Sequence, residues 1–284
     1  MSDIIVDTLL DAVKMLPFLF LAYLLIEYVE HKKSHKIEAL LAGTGKFGCV
    51  GGSLLGIFPQ CGFSVAAANL YAGRVITMGT LVSVFIATSD EAIPVLLTAP
   101  ESWSIILKLI AIKLVIAILV GFLTDVVLQL FLHKGDTAHQ EHIHEDVCDH
   151  CGCDSHGILY AAIRHTVSIF FFILLVSFLL NALIAFIGEE RLSALFLNNT
   201  LLQPVIAAVI GLIPNCASSV LLTELLLRGT ISFGAAVAGL CSGAGVGLLV
   251  LFRVNKRVKE SISVLVLVTL AGIISGWIIQ LIGL

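Results

Sequence analysis

The sequence predicts an all-α polytopic membrane protein. About ten transmembrane or re-entrant helices are expected, arranged as a 5+5 inverted-topology repeat with broken helices at the midplane. Three observations lead there. Of 284 residues 58% are hydrophobic and only 13% charged, with a mean hydropathy of +1.06; a soluble domain carries about 25% charged residues. The apolar residues fall into five runs, a polar stretch and five more runs. The chain also aligns with itself at an offset of 155. This composition excludes an ordinary soluble enzyme and a disordered chain, and a net charge of -4 leaves no basic footprint for nucleic acid.

The runs cover 9–29, 47–58, 62–72, 75–99, 103–132, 158–187, 201–213, 217–227, 231–252 and 262–284. Strand alternation is absent, and in lipid a backbone must close its own hydrogen bonds, so the runs read as helices. Three units follow: a first transmembrane repeat at 1–132, a His/Cys-rich loop at 133–157, and a second, inverted repeat at 158–284. Basic residues set the orientation. With the N-terminus outside, Lys32, Lys33, Lys36, Lys46, Arg74, Lys134, Arg164, Arg253, Lys256, Arg257 and Lys259 fall inside. Lys14, Lys108, Arg191 and Arg228 fall outside. The bias puts this multi-pass protein in the cell membrane with both termini outside and the loop cytoplasmic. The first run lacks the basic leader and cleavage site of a signal peptide.

Gly56-Ile-Phe-Pro-Gln-Cys-Gly-Phe-Ser-Val65 aligns with Gly211-Leu-Ile-Pro-Asn-Cys-Ala-Ser-Ser-Val220, and nine of 27 positions are identical over 56–82. Leu-for-Val matches are common in membrane chains, whereas a shared Gly-x-x-Pro-amide-Cys is not. Five runs per half is an odd number, so the second copy must be inverted. Inverted repeats are a signature of secondary transporters, with the site at the repeat interface.

The paired runs at 47–58 and 62–72 each cover under ~20 Å of a ~30 Å hydrocarbon core. Short tilted spans would account for them, but a re-entrant hairpin with its tip at Pro59-Gln60-Cys61 is favoured. Its partner tip is Pro214-Asn215-Cys216. The next run breaks at Thr88-Ser89-Asp90-Glu91 in the first half, with Pro94 one turn on, and at Ser242-Gly243-Ala244-Gly245-Val246-Gly247 in the second. Irregular backbone at this depth belongs beside a cavity or inside protein.

Asp90 and Glu91 lie near the bilayer centre, where a carboxylate is expensive unless it meets a cation, a proton or a partner. Ser89 could equally begin a helix with acids in its first turn. Cys61 and Cys216 present soft donors, suited to As(III), Zn(II), Cd(II) or Cu(I); Gln60, Asn215 and the carboxylates suit Mn(II). Thr88, Ser219 and Ser242 add oxygens or cap the broken helices. Cys49 and Cys241 read as packing residues, and Lys113 and Asp125 as side chains that snorkel from the ends of a long helix. Glu224 reads either as snorkelling or as a proton carrier. The ladders Gly48/Gly52/Gly56, Gly239/Gly243/Gly247 and Gly272/Gly276 read as close helix contacts.

The loop crowds His139, His142, His144, Cys148, His150, Cys151, Cys153 and His156 among acids. Such soft and borderline donors suit Zn, Cu or Ni, and a metal-collecting or sensing segment is expected. In reducing cytosol the thiols stay free.

The motifs Gly-Ile-Phe-Pro-Gln-Cys-Gly-Phe-Ser, Ser-Asp-Glu-Ala-Ile-Pro-Val-Leu and Gly-Leu-Ile-Pro-Asn-Cys-Ala-Ser-Ser-Val resemble the ten-transmembrane heavy-metal exporter family. Its members are labelled arsenic efflux permeases or manganese transporters. The resemblance covers nearly the whole chain. It implies a secondary-active exporter of arsenite or a soft divalent metal, working by alternating access, with a manganese or other divalent-cation carrier as the alternative. Absence of Gly-x4-Gly-Lys-[Ser/Thr] points to drive by an ion gradient or a partner ATPase. An embedded oxidoreductase or metalloprotease finds no Cys-x-x-Cys in the membrane runs and no HExxH, so no enzyme is expected. No cofactor is expected beyond a transported or loop-bound metal ion. The expected partners are that ion, coupled protons, the bilayer and a second copy in a homodimer.

Overall fold

The computed structural model describes residues 48–58, 62–88, 92–97, 103–132 and 201–283, with isolated positions between 13 and 24 and between 160 and 178. Among the described residues there is no strand. The helices are α1 (Gly48–Gly56), α2 (Gly62–Ala72), α3 (Met78–Ala87), α4 (Ala92–Leu97) and α5 (Trp103–Leu132), then α6 (Gln203–Gly211), α7 (Cys216–Leu227), α8 (Phe233–Ser242), α9 (Val246–Val254) and α10 (Val258–Ile282). Met78–Leu97, Trp103–Leu130, Phe233–Val254 and Val258–Ile282 are each long and apolar enough to cross a membrane.

Local chemistry explains several boundaries. Thr77 and Ser232 sit in extended conformation and cap α3 and α8, their side chains accepting from the amides of Thr80 and Ala235. Asn215 caps α7 through Ala217, and Pro204 enters the first turn of α6, where its missing N–H is no loss. Gly245 takes φ 55° between α8 and α9, a conformation that a side chain resists, and so breaks the helix there. Gly283 closes α10 in the left-handed region.

Close approach of small residues packs the helices, as expected where lipid supplies no hydrophobic drive. α1 lies along α3: a Cβ on Gly48 would meet Thr80, on Gly52 Thr80 and Val84, and on Gly56 Ala87 and Val84. The two helices therefore start level with one another and end level with one another. α2 begins beyond the end of α1, and its C-terminus returns through residues 73–77 to the start of α3. Hence α1 and α2 enter and leave at one end, as a re-entrant hairpin. α5 runs back beside α3, with Gly121 against Gly79 and Ser83. The Ser83 hydroxyl donates to the carbonyls of Gly79 and Ala117 at 2.9 and 3.0 Å.

The same contacts recur 155 positions on. Gly211 meets Gly239, Gly239 meets Ala207, and Gly276 and Gly272 meet Gly234 and Ala238. Gln203 at the start of α6 accepts from the amide of Ser232 at 3.0 Å, which levels it with the start of α8. α6 and α7 thus also form a hairpin. The two hairpins sit at opposite ends. Arg74, after α2, pairs with Glu260 at the start of α10, whereas Gly234, at the start of α8, packs on Gly276 and Gln280 near the other end of α10.

Candidate functional site

α3 and α8 each end after ten residues. Ten residues of helix cover ~15 Å, half of a ~30 Å core. Thr88 ends α3 with its amide on the carbonyl of Val84, and its hydroxyl donates to the same carbonyl at 2.7 Å. Gly243 ends α8 in the equivalent way, its amide on Gly239. Between these ends lies a small, partly open pocket lined by Thr88, Gly211, Ser218, Ser219, Leu222, Gly239, Leu240 and Gly243. Its three glycines, Gly211 on α6 and Gly239 and Gly243 at the end of α8, let these two helices approach closely. Ser218 donates to the tip carbonyls of Asn215 and Ile213 at 2.7 and 3.1 Å.

Beside the cavity is a charge. Lys113 is 1% exposed, in the middle of α5. Its ammonium donates to the backbone oxygen of Thr88 and, at 2.8 Å, to that of Leu240. It joins the C-terminal ends of α3 and α8, where aligned peptide dipoles concentrate negative potential. Snorkelling was the expectation, and the structure overturns it. Position 113 lies ten residues into α5, about 15 Å from its start, too deep for the side chain to regain water. The signal that finds it is that depth.

Asp125 does not snorkel either. One carboxylate oxygen accepts from the Gly79 amide at 2.8 Å, the other from the Thr77 hydroxyl at 2.8 Å and the Cys49 thiol at 3.5 Å. It secures the N-terminus of α3, where a negative charge is favoured. Cys241 is fully buried, as a packing residue would be. Glu224 pairs with Arg228 at 3.0 Å on the surface. At the far end of the first hairpin Glu260 receives Arg74, Tyr71 and Arg257. Partial burial opposes the Arg74 charge, but the hydrogen bond and charge of Glu260 outweigh it and hold the guanidinium above its usual pKa.

Comparison with known proteins follows from this arrangement. A family described as "Putative, 10TM heavy-metal exporter" matches residues 1–192 and 184–283. The chain belongs to this family. No curated protein and no solved structure matches it.

Within this exporter-family chain, Thr88 and Ser219 line the cavity. Asn215 caps the adjoining α7, and the hydroxyl of Ser242 donates to Ala238 one turn back at 2.9 Å. Cys216 begins α7; its side chain lies outside the description. Gln60, Cys61, Ser89, Asp90 and Glu91 lie outside the described residues, as do all eight His and Cys of the loop. Among the described residues no three His, Cys, Asp or Glu gather into a metal cluster. Lys113 is the residue that sequence reasoning did not place here.

Proposed function

We propose that the protein is a secondary-active exporter that moves a heavy-metal or metalloid species, arsenite or a soft divalent metal, through the cavity between the two helix breaks. The observation that carries this reading is the cavity's position. It is bounded by the end of α3 on one side and by α6, α7 and α8 on the other, where two re-entrant hairpins arrive from opposite ends. Matching broken segments at mid-depth mark transporter sites. The recurrence of helix contacts 155 positions on supports a duplicated, inverted origin, and two inverted sets can exchange conformations to expose one cavity to each face in turn.

In this reading the walls supply hydroxyl and carbonyl oxygens through Thr88, Ser218 and Ser219. The tip residues Cys61 and Cys216 bring thiols, Gln60 and Asn215 amides, and Ser89, Asp90 and Glu91 the polar and acidic groups directly beyond Thr88. Lys113 holds both breaks in register while cargo binds. Coupling to protons, a cytoplasmic face for the basic connections and metal collection by the loop belong to the same proposal. It makes the protein a carrier and not an enzyme, with no resident cofactor.

The test is uptake by inverted vesicles or proteoliposomes of arsenite, Mn, Zn, Cd and Co under an imposed proton gradient. Movement of arsenite or a soft metal is expected. Movement of Mn alone would favour the divalent-cation alternative built on Asp90 and Glu91, and transport of none would refute the exporter reading.

A further inference from the structure

We propose that Glu260, held by Arg74 and Tyr71, is the latch of a gate that closes the central cavity at the Arg74 end. The proposal rests on the exporter reading and adds to it which seam is shut and by what.

Four observations converge. First, Glu260 on α10 accepts from Arg74 at 2.8 Å and Tyr71 at 3.0 Å, both at the far end of the first hairpin, and from Arg257 on its own helix at 3.2 Å. Two elements more than 180 residues apart in sequence are tied through one carboxylate. Second, Arg74 holds φ 58°, the left-handed region, as the single described non-glycine there. Its counterpart 155 positions on is Gly229, at φ 69°, the residue for which that conformation is free. A side chain kept in that conformation is an outlier that points to a task for the side chain. Third, the seam beneath the latch is shut. α2 and α9 run side by side from mid-depth to this end, and a Cβ on Gly247 would lie 2.7 Å from the Cβ of Ser64 and 2.8 Å from its backbone carbon.

Fourth, the opposite seam differs. The positions equivalent to Tyr71, Arg74 and Glu260 are Leu226, Gly229 and Ile105, which carry no charge. The position equivalent to Gly247 is Ala92, whose methyl group limits approach, and the equivalent of Ser64 is Ser219, which lines the cavity. The structure is therefore tight and latched along the α2–α9 seam, while the pocket that Ser219 lines lies against α7. In this proposal cargo leaves by the Arg74 end when α2 parts from α9, a movement that breaks the bonds from Arg74 and Tyr71 to Glu260.

Labelling tests this without knowledge of the cargo. In a chain otherwise free of cysteine, Ser219→Cys reports access to the cavity, and a membrane-impermeant maleimide is applied to liposomes from one face. Lys259→Cys in the same background identifies the Arg74 face and reports insertion. Glu260→Gln and Arg74→Gln should each raise labelling of Ser219→Cys from that face about tenfold, the shift expected from losing one charge-assisted hydrogen bond. The double variant should go no further. Gly247→Val, which wedges α2 from α9 and leaves the latch residues in place, should raise it as well, and decides the matter alone if Glu260→Gln does not insert. Unchanged labelling in the inserted latch variants and in the wedge, with Lys259→Cys reacting normally, would overturn the gate. A protein that transports nothing yet shows the predicted labelling loses the function and keeps the gate; unchanged labelling in a transporting protein removes only the gate.

Discussion

The ammonium of Lys113 donates to the backbone oxygen of Leu240, 127 residues further along the chain, while it also reaches the oxygen of Thr88. One buried cation thus joins the ends of two broken helices that belong to different halves of the sequence. A charge at this depth is costly unless it is satisfied, and here the negative poles of α3 and α8 satisfy it.

Replacing Lys113 with Met removes the charge and leaves both carbonyl ends without this donor. Loss of a charged hydrogen-bonding group from a buried site costs about 1–3 kcal/mol. We expect a lower Tm in detergent and transport reduced by at least tenfold. Lys113→Arg should recover stability in part and transport little, because the wider guanidinium cannot enter between Thr88 and Leu240. A Lys113→Met protein with unchanged Tm and flux would show that the bridge carries no weight.

The glycine contacts divide sharply. A Cβ on Gly211 would lie 2.1 Å from the carbonyl oxygen of Gly239, whereas a Cβ on Gly51 would meet nothing within 4 Å. Gly211→Ala should therefore force α6 from α8 and lower stability by about 1–3 kcal/mol. Gly51→Ala should be neutral or stabilising by up to ~1 kcal/mol, through helix propensity alone. Thermal melts of the two purified variants settle the contrast, and equal behaviour would contradict the packing described.

Caps at equivalent positions should differ in strength. Ser232→Ala removes one acceptor from the amide of Ala235 and should cost about 1 kcal/mol. Thr77→Ala removes the same acceptor from Thr80 and also the donor to Asp125. Its melting temperature should fall further, and Asp125→Asn should remove most of the difference.

The tip thiols decide the chemistry of the cargo. Cys61→Ser with Cys216→Ser should abolish arsenite resistance in cells if thiolates bind the metalloid, while a carrier of Mn would be unaffected. Unchanged arsenite resistance would remove thiols from the transport path. Deleting 136–156 should reduce metal binding by the chain and alter the metal response; loss of transport in vesicles would place the loop in the path itself.

Much of this was legible beforehand, because membrane physics writes helices plainly. The offset of 155 marks the helix boundaries: Gly48 and Gln203 begin equivalent helices, as do Met78 and Phe233. Glycine ladders announced the close contacts, since only small residues let helix backbones touch. Thr88 and Ser219 could be named for the cavity because polar groups at mid-depth require a reason. Lys113 and Asp125 were misread, since a lone charge in an apolar run resembles a snorkelling side chain until its depth and neighbours are known. The pairing of Tyr71 and Arg74 with Glu260 had no sequence signal at all.

The sequence by itself therefore determined the membrane setting and the helices, because these follow from local hydropathy and backbone chemistry. Tertiary structure decided that the ends of α3 and α8 meet, what Lys113 reaches, and that α2 packs tightly on α9. Those depend on contacts between residues more than a hundred positions apart, and two halves alike in sequence pattern can pack unequally. The contact of Gly247 with Ser64, and the pocket that Thr88 and Ser219 share, exist only in three dimensions.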